Sequence, residues 1–495
     1  MPFIGRCNAS HLFTKTYATP ANRTDSPSSD RPMTEVRRSL RDRARSGALW
    51  IMFAHGGAIA LRLVVSLALA HWLNPSMLGV MALAQTLLGG LSMFSDLGLR
   101  PYLVQSERGE DPEVLNTLWT LQVARGALVS VCTILIGVAL MLGQQWAWVA
   151  QPSAYADPRL PWVFFLLSIV PAIGGFESTR TAQCQRRLDM GRLTQIGLLN
   201  HLINAIVMLA LVYWSRSLWA LPLAGIEGIL VYTLLTHWRL PGTANQFSWN
   251  RSLLPEIRQF SRWILLSSMV GFFANNLDRL ILGGFASAGD LGIYSIAASA
   301  IMLLSDGLAR LLGDLGLPLF SEVYRERPGE MRAAHYKFRK PFDVVCCLAA
   351  GGIAASGSSI VGLMYDSRYA AAGPMLELLA WSLIAFRYRV TTQALLAMGD
   401  SRNQFHQSLA TALAVASCGY AGARLGGLTG FVLGVSLSGL LSSSVTLIRA
   451  GQCELLSWWN ELRFLPLVGV GYALGLLGAH LLDVLHHLLW LQGIR

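Results

Sequence analysis

The sequence predicts an all-α, polytopic membrane protein of about thirteen transmembrane helices (12–14), built from two related halves. Three observations carry this: sparse charge between long apolar runs, basic residues gathered in alternate loops, and an internal repeat. Apolar residues make up 53% and charged residues 14% of the 495 positions, against about 25% charged in soluble domains. Mean hydropathy is +0.46. A soluble chain of this length would fold as about three domains. Here the runs suit hydrocarbon instead, which accepts only segments whose backbone groups are satisfied internally.

Residues 1–46 are polar, rich in Ser, Thr, Pro and Arg, and too poor in apolar side chains to fold alone. They read as a disordered, basic, cytoplasmic N-terminus. No apolar stretch of signal-peptide type follows Met1, and Met33, which opens the basic stretch MTEVRRSLRDRARSG, is a candidate start of translation. From Ala48 the expected spans are 48–72, 76–98, 117–142, 161–183, 193–214, 217–238, 261–285, 290–321, 341–364, 371–397, 404–422, 427–449 and 464–482. Each is near or above the ~20 residues that a helix needs to cross a bilayer. The apolar tail after Asp483 is short for a fourteenth. The resulting division is an N-terminal half over 47–240 (spans one to six), a cytoplasmic linker at 241–258, a C-terminal half over 259–450 (spans seven to twelve) and an additional C-terminal span within 451–495.

The net charge of +11 does not point to nucleic acid, because the basic residues form no single face. They alternate. One set of loops carries Arg186, Arg187 and Arg192, then Arg239, Arg251 and Arg258, then Arg325, Arg327, Arg332, Lys337, Arg339 and Lys340. The loops between them carry one each (Arg159, Arg216, Arg368, Arg424) or none. Positive residues stay inside, so the N-terminus is expected in the cytoplasm and the protein in the inner membrane. The seven cysteines show no CxxC spacing and lie mostly in or beside apolar runs, where they act as small hydrophobes. Neither a metal, a cofactor nor a disulfide framework is expected.

A shift of 213 residues places Arg45, Trp50, Leu67, Leu69, Leu78 and Gly79 on Arg258, Trp263, Leu280, Leu282, Leu291 and Gly292. Five further residues bring Asp96-Leu97-Gly98-Leu99 onto Asp314-Leu315-Gly316-Leu317. A repeat of six spans keeps its orientation, so the two copies are related by a pseudo-twofold axis along the membrane normal.

The stretch 74–126, with Leu78-Gly79, the phrase FSDLGL ending at Leu99 and LNT at 115–117, resembles the polysaccharide-transport branch of the multidrug, oligosaccharidyl-lipid and polysaccharide exporter superfamily. SLWALPLAGI (217–226) and NNLDRLILGGF followed by DLGIYSIA (275–297) are similar to it as well. The resemblance implies two six-helix lobes facing one another around a central cavity open alternately to each side. It also implies a flippase for undecaprenyl-diphosphate-linked oligosaccharide repeat units, serving exopolysaccharide, capsule or lipopolysaccharide synthesis.

Moving a diphosphate through hydrocarbon calls for cations along a wet cavity, and an arginine fork matches phosphate oxygens bidentately. An arginine facing lipid at the midplane costs ~2.5–3.5 kcal/mol or more, so deep ones face a cavity or a partner. At about 1.5 Å of rise per residue, Arg62, Arg125 and Arg279 lie deepest in their expected spans and form the predicted cationic cavity. The competing reading for each is a bridge to a neighbouring helix. Asn275, four residues before Arg279, is placed to orient it, and Asp278 adjoins it. Asp306, Arg310 and Asp314 share one face and can neutralise one another. Arg310, Arg180, Arg387 and Arg389 lie near the inner interface, as a cytoplasmic entrance or as snorkelling side chains. Glu227 sits near the midplane, where desolvation favours proton exchange; Glu177 and Glu377 lie nearer an interface. Gly56-Gly57 makes span one the expected bending helix.

The alternatives are a drug or small-cation exporter of the same fold, for which a carboxylate-lined cavity is expected, and a membrane glycosyltransferase or polymerase. The longest outer loop, 143–160, offers little beyond Asp157 and Arg159, so no enzymatic activity is expected. No GxxxxGK[ST] motif is present. The expected partners are a lipid-linked oligosaccharide on a polyprenyl diphosphate, the membrane and the polymerase machinery, but not nucleic acid.

Overall fold

The computed structural model describes residues 56–491, apart from Ala58, Ala150 and Leu188 and from the side chains of Ser401, Asp483 and residues 485–491. The N-terminal segment 1–46, with Arg45, and Trp50 lie outside the described residues. Among the described residues the chain is helical and contains no strand. Among the described residues eight helices are long and apolar enough to cross a membrane, or nine if one bent pair is a single span.

Helix α1 (Ile59–Trp72) is the described part of the first expected span. Helix α2 (Pro75–Phe94) opens on Pro75, where the missing N–H removes no helical bond. It ends at Ser95, and Gly98, at φ +61°, turns the chain into α3 (Leu99–Gln105). Asp111 caps α4 (Pro112–Gln145) by accepting from the Glu113 N–H at 3.0 Å. The expected span 161–183 is broken into α5 (Leu160–Leu167), α6 (Ile169–Gly175) and α7 (Arg180–Arg186), with a 55° bend before α7. Gly174-Gly175, the weakest helix formers short of proline, end α6 at that bend. Helices α8 (Met190–Ser215) and α9 (Ala220–Trp238) return the chain twice across the slab.

The expected linker at 241–258 proves shorter than its range, because α10 (Leu254–Phe285) begins inside it on Pro255 and Glu256, both favoured in a first turn. A reciprocal Ser287–Asp290 capping box starts α11 (Ala288–Glu326). Helix α12 (Met331–Met364) places Arg332, Lys337, Arg339 and Lys340 on a helix instead of a loop. Span 371–397 is again broken, into α13 (Ala372–Ala380), α14 (Ser382–Phe386) and α15 (Arg389–Ala397). Helix α16 (Ser401–Gln452) holds two expected spans, interrupted at Gly426 and at Gly427, whose φ of +58° suits glycine. Its limbs fold back so closely that a Cβ on Gly422 would lie 2.1 Å from the Gly430 carbonyl oxygen. After the short α17 (Trp458–Leu462), α18 (Pro466–Leu491) runs on through the tail beyond Asp483, which therefore extends the last span.

Helix α2 crosses α11 in close contact. A Cβ on Gly79 would meet the Ala288 carbonyl oxygen at 1.8 Å, and one on Gly292 would meet the Pro75 carbonyl oxygen at 1.9 Å. These are the glycines that the repeat superposes. Around the crossing, buried Leu83, Phe164, Leu291 and Tyr294 form the main core. Outward faces are apolar, as on α4 with exposed Leu128, Val131 and Leu135. Exposed tryptophans mark both rims: Trp146, Trp148 and Trp214 at one, Trp238, Trp249, Trp263, Trp458 and Trp459 at the other. Such belts are what a bilayer's two interfaces select.

Candidate functional site

Helices α1, α8 and α11 enclose a cavity of about 610 Å³ lined by Arg62, His201, Asn204, Asp306 and Arg310. Arg62 and Arg310 are exposed to it. Among the described residues neither has a hydrogen-bond or ion-pair partner. The expected self-neutralisation of Asp306, Arg310 and Asp314 does not occur: no N–O distance among them is within 4.0 Å. The charge of Asp306 acts on Arg389, whose guanidinium lies 5.1 Å from the Phe386 ring centroid. Arg310 and Arg62 line the same cavity, with Asp306.

The other predicted cations are placed differently. Arg125 is tied to the end of α2, with Nη2 donating to the Ser92 carbonyl at 2.7 Å and Nε to Ser95 Oγ at 3.1 Å. It acts as a bridge between helices. Arg279 is half-buried, its Nε has no partner, and Asn275 does not orient it; Asn275 Nδ2 donates to its own helix at Gly271, 2.7 Å away. Asp278 accepts from the Tyr294 hydroxyl and so fastens α10 to α11. Glu227 accepts from Asn204 Nδ2 at 3.1 Å, which joins it to the wall of the cavity. Glu177 pairs with Arg100, and Glu377 accepts from the Ser358 N–H at 2.9 Å.

Two of the expected entrance arginines are structural. Arg180 donates to the carbonyls of His237 and Leu240, closing the C-terminal end of α9. Arg387 is 2% exposed and donates to the Glu461 carbonyl at 3.1 Å. It belongs to a cluster that the sequence did not reveal. There Arg339, 0% exposed, makes a bidentate pair with Glu461 at 2.7 Å and an i,i+4 contact with Asp343 at 3.0 Å. The Arg339–Asp343 spacing was a legible signal, but the partner 122 residues away was not.

Arg389 and Asn275 line a second chamber of about 700 Å³ between α10, α11, α15 and α16. Both chambers use residues from the middle of α11 onwards, towards the end of the bundle that carries loops 106–111 and 327–330. The opposite end is sealed. Tyr369 donates to the Leu73 carbonyl at 2.9 Å, Arg368 to Asn74 Oδ1 at 3.0 Å, and Ser153 to the Gly283 carbonyl at 2.9 Å. Arg368 also hydrogen-bonds Asp366 and thereby holds that carboxyl below its ordinary range. Among the described residues no group of three His, Cys, Asp or Glu side chains is placed to hold a metal.

A solved inward-facing multidrug resistance MATE family transporter superposes with a TM-score of 0.63 at 14% identity, covering 82% of this chain and 95% of its own. The lipid II flippase MurJ, in an inward closed conformation, gives a TM-score of 0.63 at 12% identity over 90% of this chain and 100% of that one. The fold is thus shared by drug and lipid transporters. In sequence, the lipopolysaccharide biosynthesis protein WzxC of Escherichia coli (strain K12) is 24% identical over 348 residues, 69% of this chain and 67% of that protein. The profile of one family matches residues 68–374, from the end of α1 to the start of α13. With an all-helical multi-pass fold around paired chambers, the chain belongs to the polysaccharide biosynthesis protein family.

Proposed function

We propose that this protein is an inner-membrane flippase that carries polyprenyl-diphosphate-linked oligosaccharide repeat units across the bilayer for surface-polysaccharide assembly. The observation that carries this is the convergence of Arg62 and Arg310, from two helices, on one cavity where neither is paired. Unpaired arginines are costly in a membrane unless water or an anion attends them, and a diphosphate meets both forks. His201 and Asn204 add hydrogen-bonding groups beside them.

The alternation of basic loops supports a cytoplasmic N-terminus; on that reading both chambers belong to the cytoplasmic half and the seal to the outer half. Two lobes, 47–240 and 259–450, rocking about the α2–α11 crossing would break the seal and close the chambers. Glu227, joined to the wall through Asn204, is the candidate for proton coupling. The polymerase that consumes the flipped unit is the natural partner outside.

The test is deletion of the gene followed by analysis of lipid-linked intermediates. Complete repeat units held on the inner leaflet, with polymer lost, are the expected result. Arg62→Ala or Arg310→Ala should fail to restore export while inserting normally. Unchanged polymer with altered drug tolerance would instead support a cation exporter of the same fold.

A further inference from the structure

The chamber between α10, α11, α15 and α16 has a different chemistry from the cavity at Arg62. Its wall carries hydroxyl and amide side chains, one cation and no carboxylate. Much of that hydrogen-bonding capacity is unused. Among the described residues Gln404, Ser268 and Ser408 have no hydrogen-bond partner. Gln393 Oε1 is buried without one. Gln407 spends only its carbonyl oxygen, on the Thr392 hydroxyl at 2.7 Å, and keeps its amide N–H groups. Asn275 likewise keeps its Oδ1. Phe405 presents an exposed ring in the same wall.

Unpaired amides inside a membrane bundle are unfavourable unless water or a ligand satisfies them. A wall of mixed donors and acceptors with one aromatic face and the single cation Arg389 does not match a lipid tail, and most of its unused groups are uncharged. It matches sugar hydroxyls, with the ring placed for the apolar face of a pyranose. We propose that this chamber is the glycan subsite, holding sugars beyond the first of a lipid-linked oligosaccharide through Gln393, Gln404, Gln407 and Ser408. The diphosphate occupies the Arg62–Arg310 cavity on the other side of α11. This assignment rests on the flippase reading and adds where the sugar is recognised.

The experiment compares two probes on the full-length protein in lipid nanodiscs: undecaprenyl diphosphate, and undecaprenyl-diphosphate-linked oligosaccharide extracted from the host membranes. Gln404→Leu with Ser408→Ala breaks no internal hydrogen bond. It should weaken binding of the glycosylated lipid by about ten-fold and leave the sugar-free lipid unchanged, which also shows that the variant is folded. Phe405→Ala is a second variant with the same expected selectivity. Arg62→Ala should weaken both probes. Equal binding of the glycosylated lipid by wild type and both glycan variants would overturn the subsite, as would equal losses for the two probes. Failure of the unaltered protein to bind either lipid would remove the flippase reading, and the subsite with it.

Discussion

Arg62 and Arg339 carry the same side chain and are used in opposite ways. Arg339 is fully buried, and Glu461 meets it with two 2.7 Å bonds. Arg62 stands open in its cavity. Replacing Glu461 with Ala leaves a buried guanidinium without its main counter-charge. Such losses cost ~3–5 kcal/mol, so Glu461→Ala should lower the melting temperature of the purified protein or prevent its accumulation. Arg62→Lys keeps a positive charge but loses the planar fork. It should retain its thermal stability yet restore export only in part, measured as polymer formed in a deletion strain; full restoration would show that a point charge suffices.

At the scale of elements, close approach and the latch opposite the chambers decide the behaviour. Gly79 and Gly292 allow α2 and α11 to cross with carbonyls in near contact. A Gly79→Val side chain has backbone in its way and must push the helices apart. The expected outcome is faster labelling of a cysteine introduced at Leu73→Cys, which is 0% exposed in the sealed end. The latch has a pH dependence of its own. Arg368 hydrogen-bonds Asp366 and depresses its pKa. A depressed carboxylate contributes stability above its unfolded value, about 3.9, and loses it as pH falls through the lower folded value. The seal should therefore be intact at neutral pH and loosen only below about pH 4, read by the same labelling; loosening near pH 6 would assign the latch to another group.

For the whole molecule, the sealed end and the two chambers near the basic loops describe one state of a cycle. Transport requires the seal to open. A cross-link between Asn74→Cys and Arg368→Cys in a cysteine-free background should stop export, and cleaving it should restore export. Continued export with the link formed would exclude a path through this end.

Much of this was legible in the chain because a bilayer imposes long-range rules on local composition. Apolar runs of sufficient length, basic loops in alternation and the Gly79–Gly292 repeat required no knowledge of packing, and they led to the helical membrane fold. Arg62 was legible for the same reason, since depth along a helix follows from counting residues. Which deep arginines stay free was decided only by tertiary structure. Arg125 meets Ser92 and Ser95 from 30 or so residues away, Arg387 meets Glu461 across 74, and Arg310 shares a cavity with Arg62 because α1 and α11 line the same space. Charge and hydropathy are properties of position along the chain; the pairing of a charge depends on which helices become neighbours, and only the folded bundle determines that.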